Sequence, residues 1–331
     1  MLYRTLGKSG LNVSVIAFGA WQIGDPEFWG DDPQADPDGV VGAAIDAGIN
    51  LFDTAELYGN GRSEEVLGKA LQGRREQVFI ASKAATQHCN ADDLREACEN
   101  SLRRLGTDRI DLYQVHWPLP HRFNEAIIPI LERLRIEGKI REIGVSNFGP
   151  QDIEAWMGSG TAVSDQIGYN LLFRAPEYEM IPACRRHHLG VLAYMPLMQG
   201  LLSGRYPDLD SIPMKRRRSR HFSGVREGTR HDEEGYERVL KATLEALLDF
   251  SEAIHIPLAT VSLAWLISQP GVTSAILGAR NVDQLRSNVE AVNLNIGPAA
   301  IALLNEYSYE LKAVMGYNCD MWETEANKRI H

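Results

Sequence analysis

Cysteine is scarce in this chain: four among 331 residues, Cys89, Cys98, Cys184 and Cys319, with no CxxC pair. So sparse a set makes no disulfide framework, and no histidine stands at a zinc-ligand interval from these thiols, so no metal is expected. A reducing, cytoplasmic setting is the simplest reading. No apolar run reaches the roughly 18 residues of a membrane helix, and the opening MLYRTLGKSG has no apolar signal core. Positive charge is in deficit: 34 Lys and Arg against 44 Asp and Glu, a net charge of −10. That speaks against nucleic acid or an anionic membrane as partner. In this light the basic run Lys215-Arg216-Arg217-Arg218, with Arg220, reads as a solvated loop. Internal repeats and low-complexity tracts are also missing. So is a GxGxxG turn after the first strand, where the chain reads GAWQIG, which weakens a doubly wound nucleotide-binding sheet.

What is present is a strict alternation of short apolar runs and helical patterns. Residues 1–13 alternate around Gly7-Lys8-Ser9-Gly10 and predict a hairpin. VSVIAFG then precedes a helix over Val40 to Ala47. LFDT precedes Ser63 to Leu71, with Ser63 as N-cap and acidic residues in the first turn. VFIASK leads to Asp92 to Leu105, IDLYQVH to Asn124 to Glu137, and EIGVSN to Gln151 to Met157. VSDQIGYN leads to Glu177 to Arg186, VLAYMP to a later helix over Glu234 to Ala253, and SAILG to Val282 to Val292. Continuous rather than alternating apolar strands are those of a parallel sheet covered by helices. Eight such units predict an α/β fold, a (β/α)8 TIM barrel, with residues 1–331 forming one barrel domain. Three features stand outside the rhythm: a long loop after strand seven (205–233), a C-terminal helix over Ala299 to Lys312, and a tail (313–331). A connection of the loop's length points to a functional lid or a disordered insertion.

Four polar residues close successive strands or the loops after them: Asp53 in LFDTAELYG, Tyr58 five residues on, Lys83 in VFIASK and His116 in IDLYQVHWP. Each alone has an ordinary structural explanation, as cap, packed aromatic, snorkelling lysine or core histidine. Together they converge, because the carboxyl ends of barrel strands open onto one face. An ammonium beside a phenol favours the phenolate and lowers its pKa. Lys83, steadied by Asp53, would tune Tyr58 in this way, and His116 would orient a substrate oxygen. The product is a proton donor beside a polarised carbonyl. No side chain supplies the hydride that reduction needs, but a nicotinamide cofactor does. Ser146, Asn147 and Gln166, at the ends of strands five and six, offer donors and acceptors for a carboxamide. Tyr194 can stack on a flat ring. After strand eight, GARNVDQLRSN opens a helix suited to phosphate, with Arg280 as a forked cation and Gln284 and Asn288 on one face.

These motifs, FDTAELYGNGRSEEVLGKAL, IASK, DLYQVHWP, GKIREIGVSNF, YNLL, AYMPLMQGLLSGRY and GARNVDQLRSNVEA, resemble the aldo-keto reductases over roughly residues 1–295. Within that family the chain is similar to the bacterial branch that also resembles potassium-channel β subunits. The resemblance implies NADPH-dependent, reversible reduction of aldehydes and ketones, with NADH possible, and a barrel whose N-terminal hairpin closes the bottom. It implies Asp53, Tyr58, Lys83 and His116 as the catalytic tetrad, with Tyr58 as general acid. It further implies pyrophosphate contacts from Pro196, Leu197, Gly200 and Leu202, and cofactor or substrate contacts from Gly19, Ala20 and Trp21. Many relatives carry a lysine for the 2′-phosphate where this chain has Gly278, so Arg280 is expected to carry that charge. Trp21, Tyr58, His116 and Trp117 would wall an apolar substrate pocket, joined by Met321 or Trp322 of the tail. The loop is expected to cover the cofactor, placing an arginine near the pyrophosphate. The expected partner is a small-molecule carbonyl compound, and the protein a monomer or weak homo-oligomer. Two other readings stay open: an NADP(H)-binding redox sensor or regulatory subunit with little turnover, and a lyase forming a Schiff base at Lys83.

Overall fold

The computed structural model describes residues 1–30 and 35–331. Among the described residues there are ten strands: β1 (Tyr3–Thr5), β2 (Asn12–Ser14), β3 (Ile16–Gly19), β4 (Leu51–Asp53), β5 (Phe79–Ala84), β6 (Ile110–Val115), β7 (Ile140–Ser146), β8 (Ser164–Gly168), β9 (Gly190–Tyr194) and β10 (Val272–Leu277). Strands β3 to β10 pair in parallel around a closed barrel in which β10 returns to β3. This is the (β/α)8 barrel that the alternation predicts. The first barrel strand is shorter than VSVIAFG implies, because Val13 and Ser14 belong to β2 and pair with Arg4 and Tyr3.

The antiparallel pair β1–β2 plugs the amino-terminal end of the barrel. Leu6, Leu11 and Val13 pack there with Ala17, Leu51, Ala81, Leu112, Leu192 and Ile276, which fill the barrel interior. The plug's turn depends on Gly7. Its φ is +54°, and a Cβ there would stand 2.1 Å from the Val163 carbonyl oxygen, so only glycine fits. Arg4 ties the hairpin down by donating to the Val272 and Ile267 carbonyls at 2.6 and 2.8 Å. A larger apolar layer lies between strands and helices.

The helices follow their sequence signals with local exceptions. Helix Leu94–Leu105 carries Arg103 and Arg104 in its last turn and ends on Gly106 at φ +63°, the expected cation and left-handed cap. It starts two residues later than the sequence implies. Ser63 is not an N-cap: helix Arg62–Ala70 begins before it. The Ser63 hydroxyl instead donates to the Ala20 carbonyl and accepts from Thr54 Oγ1, each at 2.9 Å. Helix Glu237–Ala253 begins three residues late, and the C-terminal helix splits into Pro298–Tyr307 and Tyr309–Met315. Helix Leu258–Ser268 has no counterpart in the sequence reading, and neither do the one-turn helices Trp21–Gly24 and Pro26–Trp29. Every residue from Thr260 to Ile267 is buried, so the segment is apolar on all sides and shows no 3.6-residue stripe. Among the described residues no single helix is long and apolar enough to cross a membrane.

Candidate active site

The carboxyl ends of the strands open into a cleft of about 870 Å³, within the usual range for ligand sites. At its floor the four predicted polar residues meet. Lys83 Nζ donates to Asp53 Oδ1 at 2.8 Å, to Asp53 Oδ2 at 3.0 Å and to the Thr54 carbonyl at 2.8 Å. It also reaches Tyr58 Oη at 3.3 Å. The His116 ring meets Tyr58 edge-on, 5.8 Å between centroids. Asp53 and Lys83 are placed by β4 and β5, and His116 continues β6 by donating its backbone N–H to the Ala84 carbonyl at 3.1 Å. Tyr58 hangs instead on a tight turn with Gly59, Asn60 and Gly61 at φ of 57°, 52° and 91°. A side chain on Gly59 would collide with the Gly24 carbonyl oxygen, 2.4 Å from its Cβ.

The electrostatics of the floor differ in one respect from the sequence expectation. Burial raises the Tyr58 hydroxyl above the ordinary phenol value, and Lys83 recovers only part of that rise. Desolvation outweighs the neighbouring charge, so Tyr58 keeps its proton at neutral pH. Burial alone would lower the Lys83 pKa, but the Asp53 carboxylate and the Tyr58 phenol outweigh it and hold the ammonium above its ordinary value. Burial, then the charge of Lys83, pushes the His116 imidazole well below its usual range, and the ring is neutral at pH 7.

The amide group lies alongside. Gln166 Nε2 donates to Asp53 Oδ2 at 2.7 Å, joining the second constellation to the first. Gln166 sits in the middle of β8 rather than at its end. Ser146 Oγ donates to the Gln166 carbonyl at 2.9 Å. Asn147 Nδ2 donates to Ser146 Oγ and to the His116 carbonyl, both at 3.1 Å, and Asn147 Oδ1 accepts from Tyr194 Oη at 2.7 Å. Asn147 has φ +62°, and Met195, Met198 and Gln199, all beside the cleft, also have positive φ. Strained backbone of this kind gathers at sites where geometry is imposed by the surroundings.

The rim is cationic. Among the described residues, Arg205, Arg216, Arg218, Arg230, Arg280 and Arg329 line the cleft with only Asp25, Asp53 and Asp283, in a chain of net charge −10. Arg205 and Arg230 have no carboxylate partner among the described residues. The loop 205–233 contributes Arg205, Arg216, Arg218 and Arg230 to the mouth. Lys215 Nζ donates to the Glu27 carbonyl at 2.7 Å, while Arg216 and Arg218 sit over the Trp29 and Phe28 rings at 5.2 and 5.4 Å. Arg220 does something else: it is buried, pairs with Glu233 at 2.8 Å, and donates its backbone N–H to the Met321 carbonyl at 2.9 Å. The loop is thereby fastened to the tail.

These residues fit a nicotinamide dinucleotide. Ser146, Asn147 and Gln166 form one donor and acceptor set beside the flat Tyr194 ring. Pro196, Leu197 and Gly200 lead to Arg205 and Arg230, and helix Val282–Glu290 opens on the same cleft, capped by Asn281 Oδ1 accepting from the Gln284 N–H at 3.0 Å. In the cleft wall, Trp29 Nε1 and His116 Nδ1 are buried without a hydrogen-bond partner among the described residues.

Most predicted residues line this cleft: Gly19, Trp21, Asp53, Tyr58, His116, Trp117, Ser146, Asn147, Gln166, Tyr194, Pro196, Leu197, Gly200, Gly278, Arg280, Gln284 and Asn288. Lys83, Ala20 and Leu202 do not line it, being fully buried. Of the two tail residues named from the sequence, Trp322 reaches the cleft, whereas Met321 is buried against Gly168. The sequence reading misses Gln22, Asp25, Trp29, Leu57, Arg205 and Arg329. Only Arg205 carried a signal, following GLLSG directly. Gln22 fills the space over Gly278, its Cδ 2.3 Å from where a Cβ would stand.

The profile of the Aldo/keto reductase family matches residues 15–308. The chain is similar to aldo-keto reductase YhdN of Bacillus subtilis (strain 168), 35% identical over 301 residues that cover 87% of each protein. It is 31% identical to an NADH-specific methylglyoxal reductase of Escherichia coli (strain K12), covering 93% of this chain and 98% of that one. Among solved structures it resembles an aldo-keto reductase from Klebsiella pneumoniae in complex with NADPH: TM-score 0.72, 30% identity, 92% of this chain and 95% of that chain covered.

Proposed function

The chain belongs to the aldo/keto reductase family and is an NAD(P)H-dependent oxidoreductase; on that premise we propose that it reduces aldehydes and ketones to alcohols, with Tyr58 as the proton donor. The observation that carries this reading is the placement of Tyr58 Oη 3.3 Å from a Lys83 ammonium that Asp53 holds at 2.8 Å. NADPH, when bound, supplies the hydride that no side chain can.

The chain's own residues do the rest. Tyr58 arrives protonated because burial raises its pKa, and so has a proton to give to the carbonyl oxygen. As that proton leaves, the fixed Lys83 charge stabilises the phenolate. The neutral His116 ring, edge-on to Tyr58, orients the carbonyl oxygen without competing as a stronger acid. Ser146, Asn147 and Gln166 would hold the carboxamide, and Tyr194 would hold the ring. Arg205, Arg218 and Arg230 would meet the phosphates, with Arg280, Gln284 and Asn288 at the adenosine end. NADPH is the reading over NADH because Arg280 supplies a cation where Gly278 has none. The same geometry argues against the rivals. Lys83 is 0% exposed and holds three partners, which disqualifies it as a Schiff-base nucleophile. A regulatory subunit with little turnover has no need of so closely spaced a tetrad.

The test is kcat and cofactor affinity in Tyr58→Phe. Tryptophan quenching reports binding, since four of the chain's six tryptophans, Trp21, Trp29, Trp117 and Trp322, line the cleft. Unchanged kcat in that variant overturns the assignment.

A further inference from the structure

Arg329 is the one cleft arginine that stands on the tail, and the cofactor reading leaves it without a task. Its guanidinium lies 3.7 Å from the centroid of Trp117, the residue that follows His116. It is thus stacked on the substrate side of the floor, while Arg205, Arg216, Arg218 and Arg230 belong to the lid. Nε and Nη2 each donate to Asp320 at 2.8 Å, and Nη1 has no partner among the described residues. Asp320 is wholly buried, whereas the Arg329 side chain is 31% exposed. The pair therefore hides its negative end and presents the positive end to the cleft.

From this, and resting on the carbonyl-reduction reading above, we propose that the substrate is a carbonyl compound bearing a carboxylate, and that Arg329 is its receptor. A guanidinium already clamped and stacked loses little freedom on meeting an anion. Its free edge matches a carboxylate oxygen. Between Arg329 and Tyr58, the rings of Trp21, Trp117 and Trp322 give an apolar wall for the part of the substrate that links acid to carbonyl. An uncharged aldehyde would find that wall but leave the cation unused.

The test compares 4-carboxybenzaldehyde with its methyl ester, using NADPH, in the wild type, Arg329→Gln and Arg329→Lys. The wild type is expected to favour the acid in kcat/KM by about tenfold or more, the worth of one charge-assisted hydrogen bond. R329Q should abolish that preference while ester turnover stays within about twofold. R329K keeps a cation for Asp320 but has no second edge, so it should fold normally and lose the preference as well. No acid preference in the wild type, or an equal loss for acid and ester in either variant, overturns the proposal in favour of a tail clamp. A second arm needs no turnover: benzoate should quench the tryptophans of cofactor-free wild type at lower concentration than it quenches R329K, with benzyl alcohol showing no difference. Equal benzoate binding by both proteins overturns the role of Arg329. If neither aldehyde is turned over while the benzoate difference holds, the reduction reading fails and the anion site stands.

Discussion

Asp53, Lys83, His116 and Gln166 stand on or directly after neighbouring barrel strands, whereas Arg216, Arg218, Arg220 and Arg329 stand on the irregular segments 205–233 and 313–331. The first group is 0–8% exposed, and bonds of 2.7–3.0 Å connect Gln166 to Asp53 and Asp53 to Lys83. The strand ladder fixes each side chain before any ligand arrives. The second group holds its place by stacking on Phe28, Trp29 and Trp117 and by pairing with carboxylates. Cation–ring contacts are worth about 0.5–1 kcal/mol each at exposed sites, so Arg216 and Arg218, held on Trp29 and Phe28, can rearrange where the floor cannot. The difference separates two duties. On the proposed reading, the groups that hold Tyr58 in place sit on rigid strands, while ligand choice sits on segments that can change without disturbing the barrel.

Substitutions can break this contrast. The largest effect is expected from Tyr58→Phe, which removes the acid and keeps the ring: kcat should fall about 10³-fold, with NADPH affinity nearly unchanged by fluorescence titration. A similar loss from any rim variant would erase the distinction. Next comes Lys83→Met, which leaves Asp53 buried without its cation. Breaking such a pair costs about 3–5 kcal/mol, to be read as a lower urea midpoint, and a marginal shift would mean that the floor is not held by this pair. The pH profile sharpens the same point. Because the Tyr58 pKa is raised, the protonated acid persists through mild alkali and is lost only as pH rises past the ordinary phenol value of 10.0. Reductive kcat/KM should therefore be level through mild alkali and fall only above about pH 10; a decline beginning near neutrality would show that Lys83, not burial, dominates. The smallest effect is expected at the rim: Arg218→Gln with Arg230→Gln should weaken NADPH binding about tenfold and speed its release, measured by stopped-flow fluorescence, with no change in the urea midpoint.

The same division explains what could be read from the chain. The barrel and the tetrad were legible because strand runs are continuous and their polar ends are few; Asp53, Lys83 and His116 announce themselves by position. The direction of the Tyr58 shift was not legible, because it depends on how fully the hydroxyl is buried rather than on which charges neighbour it. Helix Leu258–Ser268 escaped because uniform burial erases periodicity. Arg329 and Trp29 escaped because their roles arise from contacts between distant irregular segments. The arginine run 215–218 showed its charge but not its division of labour. Lys215, Arg216 and Arg218 face the mouth, Arg217 pairs with Asp210 at 3.2 Å, and Arg220 turns inward to the tail.

Gln22 and Gly278 carry a consequence for how this cleft can change. The amide of Gln22 occupies the space that any side chain at position 278 would enter, 2.3 Å from its Cβ. That contact is with the far end of a flexible, half-buried side chain rather than with backbone, so a lysine placed there would push the amide aside at little cost. Position 278 is thus kept small by a neighbour that can turn away, and a single replacement there leaves the rest of the cleft wall in place.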